Sequence, residues 1–210
     1  MANPMVNYAQ LIAETASNHY NVRDEYKDNT VEQNVAIQKS QTRRFSVGTI
    51  NITGELNIGM MLRSACLMGA ENFYIFGRKK FDRRSTVGAE NYINIVQYTY
   101  DDPLTADEQI LDDLRKLPHP IIACEQGGVT LGSVDAEVLY LSVRHAHPMF
   151  LFGSESHGIP RLILDQRDQT GYPDYEFPRI SIPQVGVMRS FNVSAAMNII
   201  LWDYVKEKFI

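Results

Sequence analysis

Three segments of the sequence combine polar side chains and glycine in spacings that suit a chemical site. The first covers residues 57–63 and places Asn57, Gly59 and Arg63 in an otherwise apolar stretch. An arginine there is costly to desolvate without a partner. Arg63 therefore reaches water, pairs with a structural carboxylate, or presents its planar guanidinium to an anion such as phosphate.

The second segment, residues 153–158, directly follows the apolar run at 149–152. A glycine after a buried strand lets backbone amides approach a ligand closely, and Glu155 is then presented at the strand end. A serine-hydrolase elbow would need serine at the position of Glu155, so that motif fails. His157 could act as a general base, but a hydrolase would still lack a nucleophile with a paired base.

The third segment, residues 182–194, concentrates Ser190 and Asn192 beside Arg189, close to Gly186. Either Ser190 or Asn192 could simply cap the final helix, which is the ordinary role of such residues. That role leaves the grouping of amide, hydroxyl and guanidinium unexplained, so a binding loop is the second interpretation. The sequence contains no dinucleotide-binding or P-loop motif and no metal-ligand spacing, and we predict no metal.

Short apolar strands alternate with helical patterns around these segments, which is typical of an α/β domain with a mostly parallel sheet flanked by helices. Strands are predicted at 46–52, 73–76, 93–100, 121–125, 149–152 and 179–183, and helices at 56–68, 105–117, 160–166 and 190–209. Ligands of such sheets bind at the carboxyl ends of the strands. The second and third segments lie there.

The first 45 residues are polar, and we interpret them as a partly helical N-terminal appendage to a domain at 46–210. Asn29-Thr30 could cap a short helix at 31–42. Thr105 and Glu108 are spaced as a capping box for the helix at 105–117.

The overall charge of the chain places only a weak limit on its function. The net charge of −5 argues mildly against nucleic-acid binding. However, one short stretch is strongly basic and contains Arg78, Lys79, Lys80, Arg83 and Arg84. This cluster is either a solvated loop or an electrostatic footprint for a phosphate backbone.

Cys66 and Cys124 lie in apolar stretches without ligand-like spacing, which indicates buried free thiols and a reducing, intracellular (cytoplasmic) location. No apolar run is long enough to span a bilayer. No secretory signal is visible either.

Taken in order, the three segments resemble the motifs of the SpoU (TrmH-like) branch of the SPOUT methyltransferases. The patterns are N-x-G-x-x-x-R, F-G-x-E-x-x-G and I-P-x-x-G-x-x-x-S-x-N-V-S. They are matched by Asn57, Gly59 and Arg63, then by Phe152, Gly153, Glu155 and Gly158, then by Ile182, Pro183, Gly186, Ser190, Asn192, Val193 and Ser194.

The resemblance implies a C-terminal trefoil knot, a homodimer, and S-adenosylmethionine bound by the knot loops. It implies cofactor binding by Cys124, Glu125, Leu151, Gly153, Ile182, Ser190 and Phe191. The implied catalytic residues are Arg63, Asn57, Glu155, Ser190 and Asn192. The implied RNA-binding residues are Arg78, Lys79, Lys80, Arg83, Arg84 and Arg189.

The activity implied by the resemblance is methylation of a ribose 2′-hydroxyl in RNA, with tRNA ahead of rRNA as substrate. The family pattern makes Arg63 the general base. An arginine ordinarily loses its proton only above about pH 12, so stabilisation of the forming alkoxide is the alternative role. Phe191 stands where Leu or Met is usual, which should alter adenosine packing. A catalytically inactive RNA-binding protein of the same fold is the alternative function.

Overall fold

Six strands form one sheet in the order β3-β2-β1-β5-β4-β6, and every neighbouring pair is parallel. This confirms the predicted parallel α/β sheet. The computed structural model describes residues 21–77, 80–165 and 177–206. The strands are β1 Ser46–Ile50, β2 Asn72–Phe76, β3 Asn94–Tyr98, β4 Ile121–Thr130, β5 Met149–Phe152 and β6 Arg179–Ser181.

Helices cover both faces of this sheet. They are α1 Val31–Ser40, α2 Glu55–Leu67, α3 Arg83–Thr86, α4 Ala106–Lys116, α5 Val134–Val143, α6 Arg161–Leu164 and α7 Val193–Val205. Helices α2, α5 and α7 contribute to the core on one face, and α4 and α6 to the core on the other. Because both faces are covered, every residue of β1 and β5 is buried.

An aromatic cluster fills the centre of the first core. Phe150 of β5 lies with its ring centroid 4.9 Å from that of Tyr204 and 6.3 Å from that of Phe45. Tyr140 of α5 packs edge-on against Phe150 and Tyr204. These edge-to-face and tilted pairs join β5 to helices α5 and α7.

Helix α5 was not predicted, because its apolar residues do not fall on one face. Ala136, Tyr140 and Val143 are buried, whereas Val134 and Val138 are 73% and 59% exposed. Strand β4 is also longer than predicted. It continues to Thr130 after an irregularity between Cys124 and Val129 in its pairing with β6.

Two predicted helix starts have different outcomes. Thr30 caps α1 in a capping box with Gln33, which confirms the predicted cap. The predicted capping box at Thr105 was wrong. The Thr105 hydroxyl donates to the Asp102 carboxylate, which also accepts from the backbone amide of Leu104. This local turn takes the place of a side-chain cap on α4.

The final helix begins at Val193 with Asn192 as its cap, rather than at residue 190. Residues 207–209 of the predicted helix lie outside the described residues. The trefoil knot stays a prediction, because the connection between α6 and β6 includes residues 166–176, which also lie outside them. Within the described parts of the chain, no helix is long and apolar enough to cross a membrane.

Helix α1 contacts the main domain through Gln38, whose side-chain amide donates to the carbonyl of Cys66 at 3.1 Å. Cys66 ends the buried side of α2. The predicted N-terminal appendage therefore has a direct hydrogen bond to the helix that carries Asn57 and Arg63.

Candidate functional site

A chain of hydrogen bonds joins the three sequence segments at the carboxyl edge of the sheet. The amide nitrogen of Asn57 donates to Glu155 Oε1 at 2.7 Å. Asn192 Nδ2 in turn donates to Asn57 Oδ1 at 3.1 Å. Residues that are distant in sequence thus share one cluster, which we call the motif cluster: Asn57, Glu155 and Asn192.

The pairing of β1 with β5 places the two loops of this cluster side by side. The backbone amide and hydroxyl of Thr53, after β1, donate to Glu155 Oε2 at 3.3 and 3.4 Å. Partial burial raises the pKa of Glu155, but hydrogen bonds from Asn57 and from the backbone amides of residues 53, 54 and 155 outweigh it, and the pKa is lowered overall. Glu155 is therefore held as a carboxylate.

Asn192 has a second task, because its side-chain oxygen accepts from the backbone amides of Ser194 and Ala195. The residue is thus both the cap of α7 and a member of the motif cluster. The two interpretations of Asn192 from sequence are compatible. Ser190 lies outside the helix and is exposed.

A cavity of about 240 Å³ opens next to the motif cluster, between the loops that follow β4, β5 and β6. Of the predicted cofactor-binding residues, its wall includes Cys124, Glu125, Gly153, Ile182, Ser190 and Phe191. Leu151 does not line it, because that side chain is fully buried in the core on the side of α4. Arg189 and Glu155 also line the cavity.

The carboxylate of Glu125 holds the loop after β5. It accepts from the backbone amides of Ile159 and Gln126 at 3.1 and 2.9 Å. Gly153 is required in the same loop, since an added Cβ would lie 2.0 Å from the carbonyl carbon of Gly158. The loop is therefore closed too tightly for any side chain at position 153.

Gln126 is a positioning residue that the sequence analysis missed. Its side-chain amide donates to the carbonyl of Arg189 at 2.7 Å and so ties the loop after β4 to the third segment. The sequence signal that could have identified Gln126 is its position: it is a polar residue next to the predicted Glu125, at the end of an apolar strand.

Arg63 stands apart from the motif cluster. It lies on the exposed side of α2 with Leu56, Met60 and Leu67, which follow one another at helical spacing. Among the described residues it forms no hydrogen bond or ion pair. Of the interpretations made from sequence, a carboxylate partner is not found among the described residues. Helix α2 turns Arg63 to the surface, within reach of water or an anion, and Met61, Leu62 and Ala65 to the core.

The basic cluster is only partly described, since Arg78 and Lys79 lie outside the described residues. Lys80 and Arg83 are exposed, and Arg84 forms a bidentate ion pair with Asp82. Helices α2 and α3 are closely packed at Gly59. A Cβ at that position would lie 1.8 Å from Ser85 Oγ, so only glycine fits there. The basic residues Arg83 and Arg84 are thereby fixed beside the first segment.

Among the described residues, Ser156 and His157 form an arrangement that a hydrolase could use. Ser156 Oγ lies 2.7 Å from His157 Nδ1 in an exposed turn. Within the described residues no carboxylate is hydrogen-bonded to the other ring nitrogen, and Glu155 is engaged by Asn57. The pair lacks the orienting group that a nucleophile and base require.

Both cysteines are free, and burial keeps their thiols protonated. Burial raises the pKa of Cys66 to about 11 and that of Cys124 well above its usual range. Cys66 is buried as predicted, whereas Cys124 is half-buried in the cavity wall. In the part of the chain that the structure describes, no group of three or more His, Cys, Asp or Glu side chains could hold a metal ion.

A family model for SpoU rRNA methylases matches residues 44–202, which include all three segments. The chain belongs to the SpoU rRNA methylase family. Its family match begins before β1 and ends within α7, so the motif cluster and the cavity both lie inside it. No curated protein matches the sequence.

Solved SpoU structures share this fold. The A. aeolicus TrmH/SpoU tRNA modifying enzyme is 21% identical, with a TM-score of 0.60 over 85% of this chain and 84% of that one. An AdoMet-bound rRNA methyltransferase from Sinorhizobium meliloti is 18% identical, with a TM-score of 0.57 over 81% of this chain. This chain covers 60% of the Sinorhizobium meliloti protein.

We expect Gly153→Ala to lower the melting temperature, because the added methyl group meets backbone atoms that cannot rotate away. Overpacking of this kind costs about 1–3 kcal/mol. Gly186→Ala is the matched control, since no heavy atom lies within 4 Å of a Cβ there. Equal melting temperatures for the two variants would show that the loop after β5 is not closed as described.

We expect Glu155→Gln to destabilise the protein at neutral pH but not in acid. The lowered pKa means that ionised Glu155 contributes stability above its unfolded value near 4.5, and that this contribution is lost as pH falls through the folded value. Because solvent screens the group, the melting temperature should fall by up to about 3 °C at pH 7.

In thermal denaturation the difference from the wild type should shrink as the pH falls below about 4.5. Glu137→Gln, an exposed position on α5, is the control and should change neither curve. A deficit in Glu155→Gln that stays constant with pH would contradict this account.

Proposed function

We propose that this chain methylates a ribose 2′-hydroxyl of RNA with S-adenosylmethionine, and that tRNA rather than rRNA is the substrate. The observation that carries the proposal is the junction of all three family motifs beside one cavity. Family membership supports RNA methylation as the reaction class. Two structural neighbours are described with bound AdoMet, which supports the choice of cofactor.

The wall of the cavity suits the parts of this cofactor. S-adenosylmethionine combines an aromatic base, a cationic sulfonium and an amino acid end. Phe152, Ile180 and Phe191 offer apolar surface, Glu155 offers a carboxylate, and Arg189 offers a guanidinium. Gly153 allows close approach to the backbone, as a loop that holds a cofactor by main-chain groups requires.

When bound, S-adenosylmethionine would supply an electrophilic methyl group to the ribose 2′-oxygen, with S-adenosylhomocysteine as the leaving group and the 2′ proton passing to a base or to water. The residues of this chain position the reactants. Asn57 holds Glu155, whose ionised carboxylate adds negative charge to the site, and Asn192 holds Asn57. Positioning of this kind supplies much of the rate of a bimolecular transfer.

Arg63 is proposed to approach the target ribose and its phosphate. As a surface side chain without a partner among the described residues, it is available to an RNA ligand. A guanidinium would stabilise a forming alkoxide directly, or would take the proton if the substrate phosphate activates it. Arg63→Lys separates the roles, because an ammonium loses its proton more easily and a general base would then show a shifted pH–rate profile.

We further propose a homodimer that buries exposed apolar residues of α2 and α7 and leaves the guanidinium of Arg63 open to RNA at the edge of the interface. Leu56 and Met60 of α2 are 57% and 48% exposed, and Trp202 of α7 is 51% exposed. The two helices cover the same face of the sheet and contact each other. Large apolar side chains exposed on neighbouring helices are typical of an interface.

The choice of tRNA rests on the small N-terminal appendage. Its described part is a single helix of 10 residues and a short 3-10 turn, so we expect no separate RNA-binding domain there, and the RNA to be bound by the main domain together with the residues that adjoin it. Labelled methyl transfer to bulk tRNA and to ribosomal RNA, compared side by side, tests the preference.

We expect Arg63→Ala to reduce methyl transfer from labelled S-adenosylmethionine to bulk tRNA by at least about 100-fold. Loss of one group that stabilises developing charge typically has an effect of that size. Cofactor affinity in calorimetry should stay unchanged, because Arg63 does not line the cavity. Arg115→Ala, on α4 at the other face of the sheet, is the control and should keep full activity.

If the wild type and Arg63→Ala incorporate equally little label into both RNAs, the enzymatic proposal fails. Retained tRNA binding in that case would favour the inactive RNA-binding protein.

The dimer should dissociate in Met60→Glu/Trp202→Glu, because the charges would be buried in the proposed interface. Sedimentation velocity should then give a monomer. The matched control is Val134→Glu/Leu141→Glu, which changes two exposed apolar residues of α5 and should leave a dimer. A monomeric wild type, or dissociation only in the control, would contradict the proposed interface.

A further inference from the structure

A second concave surface lies at the amino-terminal edge of the sheet, away from the cavity. It encloses about 700 Å³ and is lined by Arg23, Arg43, Arg44 and Arg144 together with Gln41 and Thr42. We call it the arginine pocket. No Asp or Glu of the described residues lines it, although the chain carries a net charge of −5.

Backbone hydrogen bonds hold the arginines of this pocket in place. The amide of Arg43 donates to Gly69 O at 2.8 Å, and that of Arg144 donates to Tyr140 O at 2.9 Å at the end of α5. Arg44 has a φ of 48°, so the chain turns sharply just before β1 and projects Arg44 from the surface. Charges from separate parts of the chain therefore converge on an ordered framework.

Two arginines of the pocket, Arg44 and Arg23, carry charge that another anion can reach. Arg44 is exposed and pairs with no carboxylate among the described residues. Arg23 pairs with Glu25 at 2.8 Å, and both side chains are largely exposed. An exposed pair of that kind is weak and can exchange for another anion.

We propose that the arginine pocket binds backbone phosphates of the substrate RNA at a distance from the methylated nucleotide. Guanidinium groups match phosphate oxygens in pairs, and flanking amide and hydroxyl groups add hydrogen bonds that carry no sequence preference. The open shape suits a continuous backbone. The inference rests on the proposed function, because that function supplies RNA as the ligand.

The pocket and the cavity occupy opposite ends of the strands. Arg44 precedes β1 and Arg144 precedes β5, whereas the cavity lies after β5. The five residues of β1 span about 17 Å, so an RNA that contacts both places must reach along the whole strand length.

The test measures RNA binding with two double variants that each remove two positive charges. Arg23→Gln/Arg44→Gln changes the pocket. Arg115→Gln/Lys116→Gln changes α4, where each cation already faces an aspartate. Binding of labelled bulk tRNA is followed by fluorescence anisotropy at several salt concentrations, alongside melting temperature and calorimetry with S-adenosylhomocysteine.

The pocket variant should bind bulk tRNA at least about tenfold more weakly than the α4 variant, with a salt slope lower by about 1–2, as expected for the loss of one or two phosphate contacts. Its melting temperature and S-adenosylhomocysteine affinity should match the wild type. Equal tRNA affinity of the two double variants would overturn the inference. If inorganic phosphate binds the wild type but not the pocket variant while tRNA affinity is unchanged, the pocket is a small-anion site and the inference also fails.

The outcomes separate the two proposals. A wild type that binds tRNA through the pocket but transfers no methyl group overturns the proposed function and leaves the inference standing. If the wild type methylates tRNA and the pocket variant binds tRNA normally, the inference is overturned and the proposed function stands. If the pocket variant changes the oligomeric state instead of RNA binding, a second copy occupies the surface and the inference is wrong.

Discussion

The pairing of β1 with β5 is the contact on which the site depends. Residues 46–49 lie in register with 149–152, although about a hundred residues separate the two strands. Both strands are buried, and the register sets where each one ends. As a result the loop at Thr53 meets the loop at Glu155, and the hydrogen bonds between them form without any contribution from flexible surface segments.

Two glutamates near the cavity have different surroundings and different uses. Glu125 accepts only from backbone amides, so it shapes the loop that follows β5. Glu155 accepts from Asn57 and Thr53 on one side and borders the cavity on the other. The family pattern includes Glu155 but does not explain why its carboxyl group is ionised. The hydrogen-bond donors around Glu155 explain it, because they favour the ionised form over the neutral one.

Much of the fold was predictable because strand and helix patterns are strong where a residue faces a single core. Strand β5 was predicted to the residue, and α2 within one residue at each end. Helix α5 was missed because Val134 and Val138 are exposed and blur the pattern. Its available signal was Ser133, which accepts a hydrogen bond from the amide of Ala136.

The site was predictable as a set of residues but not as a geometry. The motif order indicated that Asn57, Glu155 and Asn192 belong together, yet only the sheet order brings them into contact. The exposure of Arg63 was not predictable from its apolar neighbours, because helical phase decides which side of α2 meets the core. Gln126 and the structural use of Glu125 depend on loop paths that no local pattern encodes.

The hydrogen-bond chain through Asn57 also bears on how the protein is made. Its bonds span 98 and 135 residues of sequence. A growing chain that leaves the ribosome from its N-terminus has β1 and α2 long before it has α7. Contacts this distant along the chain form slowly. Strand β1 therefore lacks one neighbour until residues 149–152 have been synthesised, and the hydrogen-bond chain closes only once Asn192 has followed.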